Sequence, residues 1–324
     1  MKSSIIPALA VSVVLLTSAG ISAQDYPTSP VNVVVPLPAG GSGDTLARLV
    51  LEEMSQLAGQ QFYVENKPGA GGFVGSAEVS AGTPDGYTLL LGASGGMLSG
   101  PAINANIQYD PVADFTHIGM LGGEALLLVA TKELGVNTFE ELRAKAEASA
   151  EPIPYAVAGA GVAAHVVMEY FRNTQDFNLR PIAYAGGGPA ITAMLGNEVQ
   201  LTLLPLSAAN LENFTTGKFV ALAVTAEERL SVMPDVPTFV ELGYPDMVAS
   251  AWFWLAGPPA MDQAIVTRLN TLLREAVASP EVRQQFDFLS IQSPDFDPAA
   301  FQAFITEEVA RWKEFGAASG VTIQ

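Results

Sequence analysis

The sequence lacks the residues that most metal and redox chemistry requires. It has no Cys and only two His among 324 residues. The absence of Cys excludes a disulfide scaffold, a thiolate nucleophile, an iron–sulfur cluster and a Cys-type zinc site. Two His cannot build a three-His centre. We therefore expect the protein to hold no metal and no cofactor.

Basic residues are also scarce, with 15 Lys and Arg against 33 Asp and Glu and a formal charge of -18. Nucleic acid and anionic lipid both require a basic surface, so neither is an expected partner. A hydrophobic fraction of 49% provides for a sizeable core and excludes global disorder. A chain of this length fits two domains.

Long uncharged hydrophobic runs are absent apart from one near the N-terminus. Lys2 is the only charge before Asp25, residues 5–16 are apolar, and small residues follow up to Ala23. This run is shorter than the ~20 residues that span a bilayer, and it has the anatomy of a secretory signal. We predict that residues 1–23 are a cleaved signal peptide that delivers the chain to a bacterial periplasm, with no membrane insertion of the mature chain.

Strand-like and helix-like runs alternate along the rest of the chain. Helical spacing occurs at 45–58, and helix starts are indicated by Thr138 with Glu141 and by Asp297 with Pro298. The alternation predicts an α/β fold with mainly parallel sheets flanked by helices. The predicted strands are 31–35, 62–64, 87–91, 126–130, 154–158, 181–184, 199–204, 219–225 and 251–256.

One pattern occurs twice, about 120 residues apart: a strand runs into a Gly-rich loop that opens a helix. The first copy is residues 33–45 and the second is residues 155–165. In open α/β sheets, ligands bind at the carboxyl ends of strands, against the helix N-termini that follow. We therefore expect the two loops to face each other across a cleft between the domains and to hold one small ligand.

The composition of these loops suits an anion. Glycine allows close approach of the backbone, and the first N–H groups of a helix bind carboxylate or phosphate without a basic side chain. Neither loop contains Lys or Arg; Arg48 is the nearest. Backbone amides and Ser42 would then bind the anion, and we interpret Asp44 as the N-cap of helix 45–58. The alternative is that both loops are ordinary tight turns.

Two other motifs point to different functions. The run 159–164 fits the dinucleotide fingerprint, but the acidic residue that should follow the next strand is missing, so this site is disfavoured. Ser94 lies in a G-x-S-x-G motif, which makes a secreted serine esterase the alternative function. The segment after Ser94 is a poor helix, and His117 and His165 are the only candidate bases. We interpret His117 as structural and His165 as either a packing residue or a support for the second loop.

Several ordered segments resemble a known family of receptors. They are Tyr26-Pro27, Val35-Pro36-Leu37-Pro38-Ala39-Gly40-Gly41 with Asp44, Val64-Glu65-Asn66-Lys67-Pro68-Gly69-Ala70-Gly71-Gly72, Pro84-Asp85-Gly86-Tyr87-Thr88, Tyr109-Asp110-Pro111, Gly159, Gly161 and His165, Pro234-Asp235-Val236-Pro237-Thr238, and Trp252-Phe253. In this order they are similar to the substrate-binding receptors of tripartite tricarboxylate transporters, the Bug or TctC family.

The resemblance implies a two-domain periplasmic binding protein of the type II-like class, not an enzyme, that closes on a small organic acid. The predicted domains are 24–124 with 226–324, and 125–225, with the cleft between them. The loops matching 38–44 and 158–165 would clamp one carboxylate, partly through water. A monomer is expected, with a membrane permease as a possible partner that receives the carboxylate.

This chain departs from the family pattern in its pocket. Ala160, Val162 and Ala163 replace polar residues, Ala185 replaces a Lys, and Leu203-Leu204-Pro205-Leu206 replaces a region that usually carries Asp. A less polar pocket is expected, with a mono- or dicarboxylate of apolar or aromatic body as ligand rather than citrate or an amino acid. The predicted ligand-binding residues are Leu37, Pro38, Gly40, Gly41, Ser42, Asp44, Ser94, Gly95, Ala158, Gly159, Gly161, Val162, His165, Tyr184, Gly187, Leu204 and Ser207.

Overall fold

A computed structural model describes residues 26–322, which contain nine strands and ten helices. The predicted signal peptide, residues 1–23, lies outside the described residues. The strands are β1 (Val31–Val35), β2 (Phe62–Asn66), β3 (Thr88–Ala93), β4 (Thr116–Thr131), β5 (Ile153–Val157), β6 (Leu179–Ala183), β7 (Leu201–Pro205), β8 (Phe219–Val224) and β9 (Ser250–Gly257). The helices are α1 (Ser42–Ala58), α2 (Phe73–Ser80), α3 (Gly100–Ile103), α4 (Phe139–Ala148), α5 (Ala163–Thr174), α6 (Gly187–Leu195), α7 (Ala208–Thr215), α8 (Gln263–Val277), α9 (Pro280–Leu289) and α10 (Pro298–Ser319).

The strands follow the order β2-β1-β3-β9-β4-β7-β5-β6, and β8 also pairs with β4. Parallel pairing occurs in two groups, β2-β1-β3 and β7-β5-β6. The strands between these groups pair antiparallel. The predicted α/β fold is confirmed, and each parallel group contains the strand that leads into one Gly-rich loop.

Strand β4 joins the two halves of the sheet. Its residues up to Ala125 pair with β9, and its residues from Leu126 onward pair with β7 and β8. We call β1, β2, β3, β9 and the first half of β4 the first lobe, and the remaining strands the second lobe. The domain boundaries given above stay a prediction.

The first half of β4 was missed in the sequence because it is rich in glycine, which is depleted in strands. The glycines are required by packing against β9 and the segment after α9. A Cβ placed on Gly123 would lie 2.1 Å from the Trp252 ring, and one on Gly122 would lie 2.7 Å from Ile291. The strand also contains register shifts at this point, which disrupt the simple alternation of apolar and polar residues.

A second connection between the lobes runs from β8 to β9 and lies beside β4. The Thr225 hydroxyl accepts a hydrogen bond from the Leu126 amide at 2.9 Å and donates to the Ala249 carbonyl at 2.6 Å. Thr225 is fully buried. One side chain therefore ties together the two segments that cross between the lobes.

Helix boundaries follow their capping residues. Thr138 accepts from the Glu141 amide at the start of α4, and Asp297 accepts from the Ala300 amide at the start of α10, as predicted. Helix α10 packs on α5 of the second lobe and on α3, and the rings of Tyr170 and Phe315 stack 4.0 Å apart. No helix within residues 26–322 combines the length and the apolar character needed to cross a bilayer.

Candidate functional site

The two Gly-rich loops lie at the carboxyl ends of β1 and β5, where they lead into α1 and α5. The backbone of each loop requires glycine. Gly40 has φ of 79°, Gly159 has φ of 136° and Gly161 has φ of 85°. Side chains rarely adopt these angles, so the conformation of both loops follows directly from the sequence. The first N–H groups of α1 and α5 have no partner within their own helices.

Asp44 holds the first loop, but in a different way from the one predicted. Helix α1 begins at Ser42 with Gly41 as its N-cap, so the interpretation of Asp44 as the N-cap is wrong. Its carboxylate instead lies in the first turn of the helix and accepts from the Gly40 amide at 2.9 Å. The helix begins earlier than predicted, at Ser42, because Gly40 adopts a positive φ that lets the chain turn sharply after β1.

A small polar network completes this support. Arg48 donates to the Asp44 carboxylate at 3.1 Å, and Asn66 donates to it at 2.8 Å and to the Leu37 carbonyl at 3.1 Å. Burial raises the pKa of Asp44, but the hydrogen bonds from Arg48, Asn66 and Gly40 outweigh this effect and hold the pKa below its ordinary value. Arg48 is therefore engaged within the protein, and Asn66 is a supporting residue that the sequence analysis missed.

The second loop is held by neutral groups. The Gly161 amide donates to Nδ1 of His165 at 3.2 Å, and the Ser99 hydroxyl donates to the Gly161 carbonyl at 2.7 Å. Burial lowers the pKa of His165, while Glu169 opposes this shift. Neutral His165 keeps Nδ1 able to accept the hydrogen bond. Of its two predicted roles, the contact with Gly161 fits support of the loop.

Residues of the first lobe reach the second loop and its neighbours. A Cβ placed on Gly71 would lie 3.1 Å from the Ala160 carbonyl, and one on Gly95 would lie 3.7 Å from Cα of Val162. Pro38 approaches the segment after β6, since Cγ of Pro38 lies 4.0 Å from a Cβ placed on Gly186. The two loops thus lie where the lobes meet, at the position of the expected cleft.

Ser94 lies beneath this cleft and is 2% exposed. Its hydroxyl accepts from the Trp252 amide at 2.8 Å. The prediction of a poor helix after Ser94 is wrong, because a π-helical turn over Gly95–Ser99 leads directly into α3. Neither His is arranged as a catalytic base for Ser94. The ring of His117 is hydrogen-bonded to Trp254 and Pro111, and the ring of His165 is hydrogen-bonded to the Gly161 amide.

The buried position of His117 agrees with its predicted structural role. Its Nδ1 accepts from the Trp254 indole at 3.1 Å, and Nε2 lies 2.9 Å from the Pro111 carbonyl. Burial lowers its pKa to about 4, although the hydrogen bond to Pro111 opposes the shift. Because Nδ1 accepts, the ring proton of the neutral form lies on Nε2 and is donated to Pro111.

The remaining predicted residues have mixed surroundings. Tyr184 is half-buried, and its amide donates to the Val157 carbonyl at 2.9 Å. Gly187 is exposed at the first turn of α6. Leu204 is buried in an apolar cluster beneath α6, and the Ser207 amide is bound by Asn210 at 2.9 Å at the start of α7. Whether these residues touch a ligand stays a prediction.

Glu124 is a buried acid at this site that the sequence analysis did not single out. It is 4% exposed, and its Oε2 atom has no hydrogen-bond partner among the described residues. Burial raises the pKa of Glu124 to about 7, and a hydrogen bond from the Ser42 hydroxyl opposes the shift. The sequence contains a signal that could have identified this residue, because Glu124 is the only charged residue in the apolar run 118–131.

The family is established by comparison with known proteins. Residues 46–321 match the family model described as tripartite tricarboxylate transporter family receptor. The chain belongs to this receptor family. The resemblance stated from the sequence is confirmed, and the fold is the two-domain fold of periplasmic binding proteins.

Three solved structures from the comparison are similar over nearly the whole receptor. The periplasmic binding protein BugD is 32% identical with a TM-score of 0.85, over 92% of this chain and 100% of BugD. MatC from Rhodopseudomonas palustris, solved with bound malate, is 30% identical with a TM-score of 0.83, over 90% and 100%. The R. palustris protein Rpa4515, solved with adipate, is 28% identical with a TM-score of 0.86, over 92% and 99%.

Proposed function

We propose that this receptor captures a small organic carboxylate in the periplasm and presents it to a membrane permease. The observation that carries the proposal is the pair of Gly-rich loops along one cleft, each opening a helix of at least 12 residues. Helix N-termini bind anions through their amides. Arg48, the nearest basic residue, is already bound to Asp44, so the amides and Ser42 would hold the carboxylate.

The body of the ligand is proposed to be apolar or aromatic, on a mono- or dicarboxylate. Ala160 is exposed, Val162 is half-buried, and neither offers a polar group from its side chain. MatC and Rpa4515 were solved with dicarboxylic acids, which supports the class of ligand. Citrate and amino acids are disfavoured, since the second loop supplies no charged side chain for their additional groups.

Capture would proceed by hinge closure without any bond being made or broken. The proposed hinge lies where β4 passes Ala125 and where the returning segment passes Thr225. Ligand contacts made to both lobes favour the closed form, because they exist only when the lobes are together. The permease would recognise the closed form. The receptor would act as a monomer.

A ligand screen on the mature chain, residues 24–324, tests the proposal. Thermal shift would be measured with malate, adipate, benzoate, citrate, arginine and glucose. A ligand at 100 times its Kd stabilises a protein by about 2.7 kcal/mol, which shifts Tm by several degrees. We expect shifts with adipate or benzoate and little with citrate. Shifts only with arginine or glucose, or none at all, would contradict the proposal.

A further inference from the structure

Glu124 occupies β4, the strand that joins the lobes, and Ser42 at the start of α1 is its neighbour. It pairs with Ala251 on β9 and precedes Ala125, the last β4 residue that pairs with that strand. Its side chain lies close enough to the start of α1 for the Ser42 hydroxyl to oppose the rise in the pKa of Glu124. Ser42 is the first residue of α1 and is half-buried at the cleft. The acid therefore lies beside the helix terminus that would receive an anion.

The surroundings of Glu124 provide no counter-charge. Strands β7, β8 and β9 carry no titratable residue. Helices α1, α8 and α10 also pack on β4, and no charged group from them contributes to the shift in the pKa of Glu124, while three ion pairs engage charged side chains of these helices. Those pairs are Asp44 with Arg48, Arg274 with Asp295, and Glu308 with Arg311.

An ionised carboxylate at this position would be buried with one oxygen unsatisfied. Such a charge is costly in a protein interior, and a carboxyl group responds by retaining its proton. A ligand carboxylate arriving at Ser42 would add a second negative charge nearby. Two adjacent carboxyl groups avoid repulsion by sharing one proton.

We propose that Glu124 acts as a neutral acid that donates a hydrogen bond to the ligand carboxylate at Ser42, so that capture above neutral pH takes up one proton. The proton comes from solvent and stays on the Glu124 carboxyl, and no other bond changes. The inference rests on the proposed function, because it requires a carboxylate at the first loop.

The pH dependence of binding follows from this arrangement. The ligand-free acid has a pKa of about 7, so it must regain its proton before binding at higher pH. Linkage then predicts that Kd rises about tenfold between pH 6 and pH 8. The two His do not account for this change, since burial lowers the pKa of both and so moves their titration toward acid, away from the rise in Kd above pH 7.

Calorimetry on the mature chain tests the inference with adipate, malate and benzoate as probes. Titrations at pH 6, 7 and 8 give Kd, and buffers of different ionisation enthalpy give the number of protons taken up. We expect the tenfold weakening, and proton uptake that approaches one at pH 8. The Glu124→Gln variant should bind within a few-fold of the pH 6 wild-type value at every pH, because its amide still donates. Glu52→Gln, an exposed change of equal charge on α1, should behave as wild type.

The outcomes separate the inference from the proposed function. A pH-independent Kd with no proton uptake, or binding that strengthens as the pH rises, would overturn the role of Glu124 while leaving the receptor function intact. Retention of the full pH dependence in Glu124→Gln would do the same. Failure of all three probes to bind at any pH would overturn both. The proton count uses the wild-type chain, so it decides the question even if the variant does not fold.

Discussion

The two Gly-rich loops have similar sequences but are held in place by different forces. The first loop is fixed within its own lobe by an ionised network centred on Asp44, a residue that is 3% exposed. The second loop has no charged support; it depends on His165 and on a hydroxyl from Ser99, which follows β3 of the other lobe. The first loop is thus formed whatever the positions of the lobes, whereas the geometry of the second depends on their contact.

If the loops bind the ligand as proposed, this difference would divide the work of binding between them. A loop that is formed in advance costs no ordering when the ligand arrives, so it can provide the first contact. A loop whose hydrogen bond crosses between the lobes contributes fully only when the cleft closes. The difference between the supports of the two loops can be tested by removing the support of either loop.

Removal of the carboxylate that holds the first loop should have the largest effect. Asp44→Ala leaves the Gly40 amide, Asn66 and Arg48 without their shared acceptor. We expect a loss of about 3–4 kcal/mol in the free energy of unfolding, measured by urea denaturation. Glu52→Ala, an exposed change on the same helix, should cost no more than about 0.5 kcal/mol. Equal losses in the two variants would show that the network does not support the loop.

The buried acid beneath the first loop should make stability depend on pH. The pKa of Glu124 is about 7 in the folded chain, above its ordinary value, so the unfolded chain loses this proton first as the pH rises. Its contribution is complete in acid and falls by about 3 kcal/mol as the pH rises through 7, at about 1.4 kcal/mol per unit.

Denaturation of wild type and Glu124→Gln between pH 4 and pH 8 checks this sign. The difference in stability between the two proteins should shift in favour of the variant as the pH rises. A difference that is constant with pH would exclude the buried neutral acid. The same pair of proteins also separates this effect from Asp44, whose pKa is shifted in the opposite direction, below its ordinary value.

Loss of the hydroxyl that reaches the second loop should have a smaller and more local effect. Ser99→Ala removes the donor to the Gly161 carbonyl, at a cost of about 1 kcal/mol. Hydrogen exchange should become faster in a peptide covering residues 158–165 and stay unchanged in one covering 37–44. Ser80→Ala, at the end of α2, serves as the control. Equal acceleration in both peptides would remove the distinction between the loops.

The smallest expected effect is that of acid on the second loop. Protonation of Nδ1 on His165 would break its hydrogen bond with the Gly161 amide, and burial already lowers the pKa of the ring. The stability that neutral His165 contributes is therefore lost as the pH falls below its ordinary pKa of about 6.5. After correction for the intrinsic pH dependence of amide exchange, protection of residues 158–165 should fall by a few-fold in mild acid, and His165→Ala should abolish that loss of protection. A pH response that persists in this variant would assign the effect to another group.

The sequence was informative where local rules determine the structure. All nine predicted strands are present, and the helix starts at Thr138 and Asp297 are correct, because apolar alternation and capping act over a few residues. The first half of β4 was missed because its glycines serve packing against Trp252, far away in the chain. The helical turn after Ser94 was missed for a related reason: Gly95 and Gly96 are poor helix formers, and tertiary contacts hold the turn.

The site was harder to predict than the fold for the same reason. The loops could be identified from their glycines, but their supports come from distant segments. Asn66 is the last residue of β2, whereas the loop that it holds follows β1, and Ser99 lies 62 residues from Gly161. Glu124 was visible as a charge in an apolar run, yet only the fold brings it beside Ser42. Contacts of this kind have no signature in a local pattern.

The hydroxyl of Thr225 also constrains how the receptor can move. Because it is bonded to the backbone of both crossing segments, these segments cannot slide along each other without losing a buried hydrogen bond. Bending about a common line keeps both bonds intact. If the lobes close as proposed, this joint would resist shear and permit flexion, and the angle between the lobes would be the quantity that a permease could recognise.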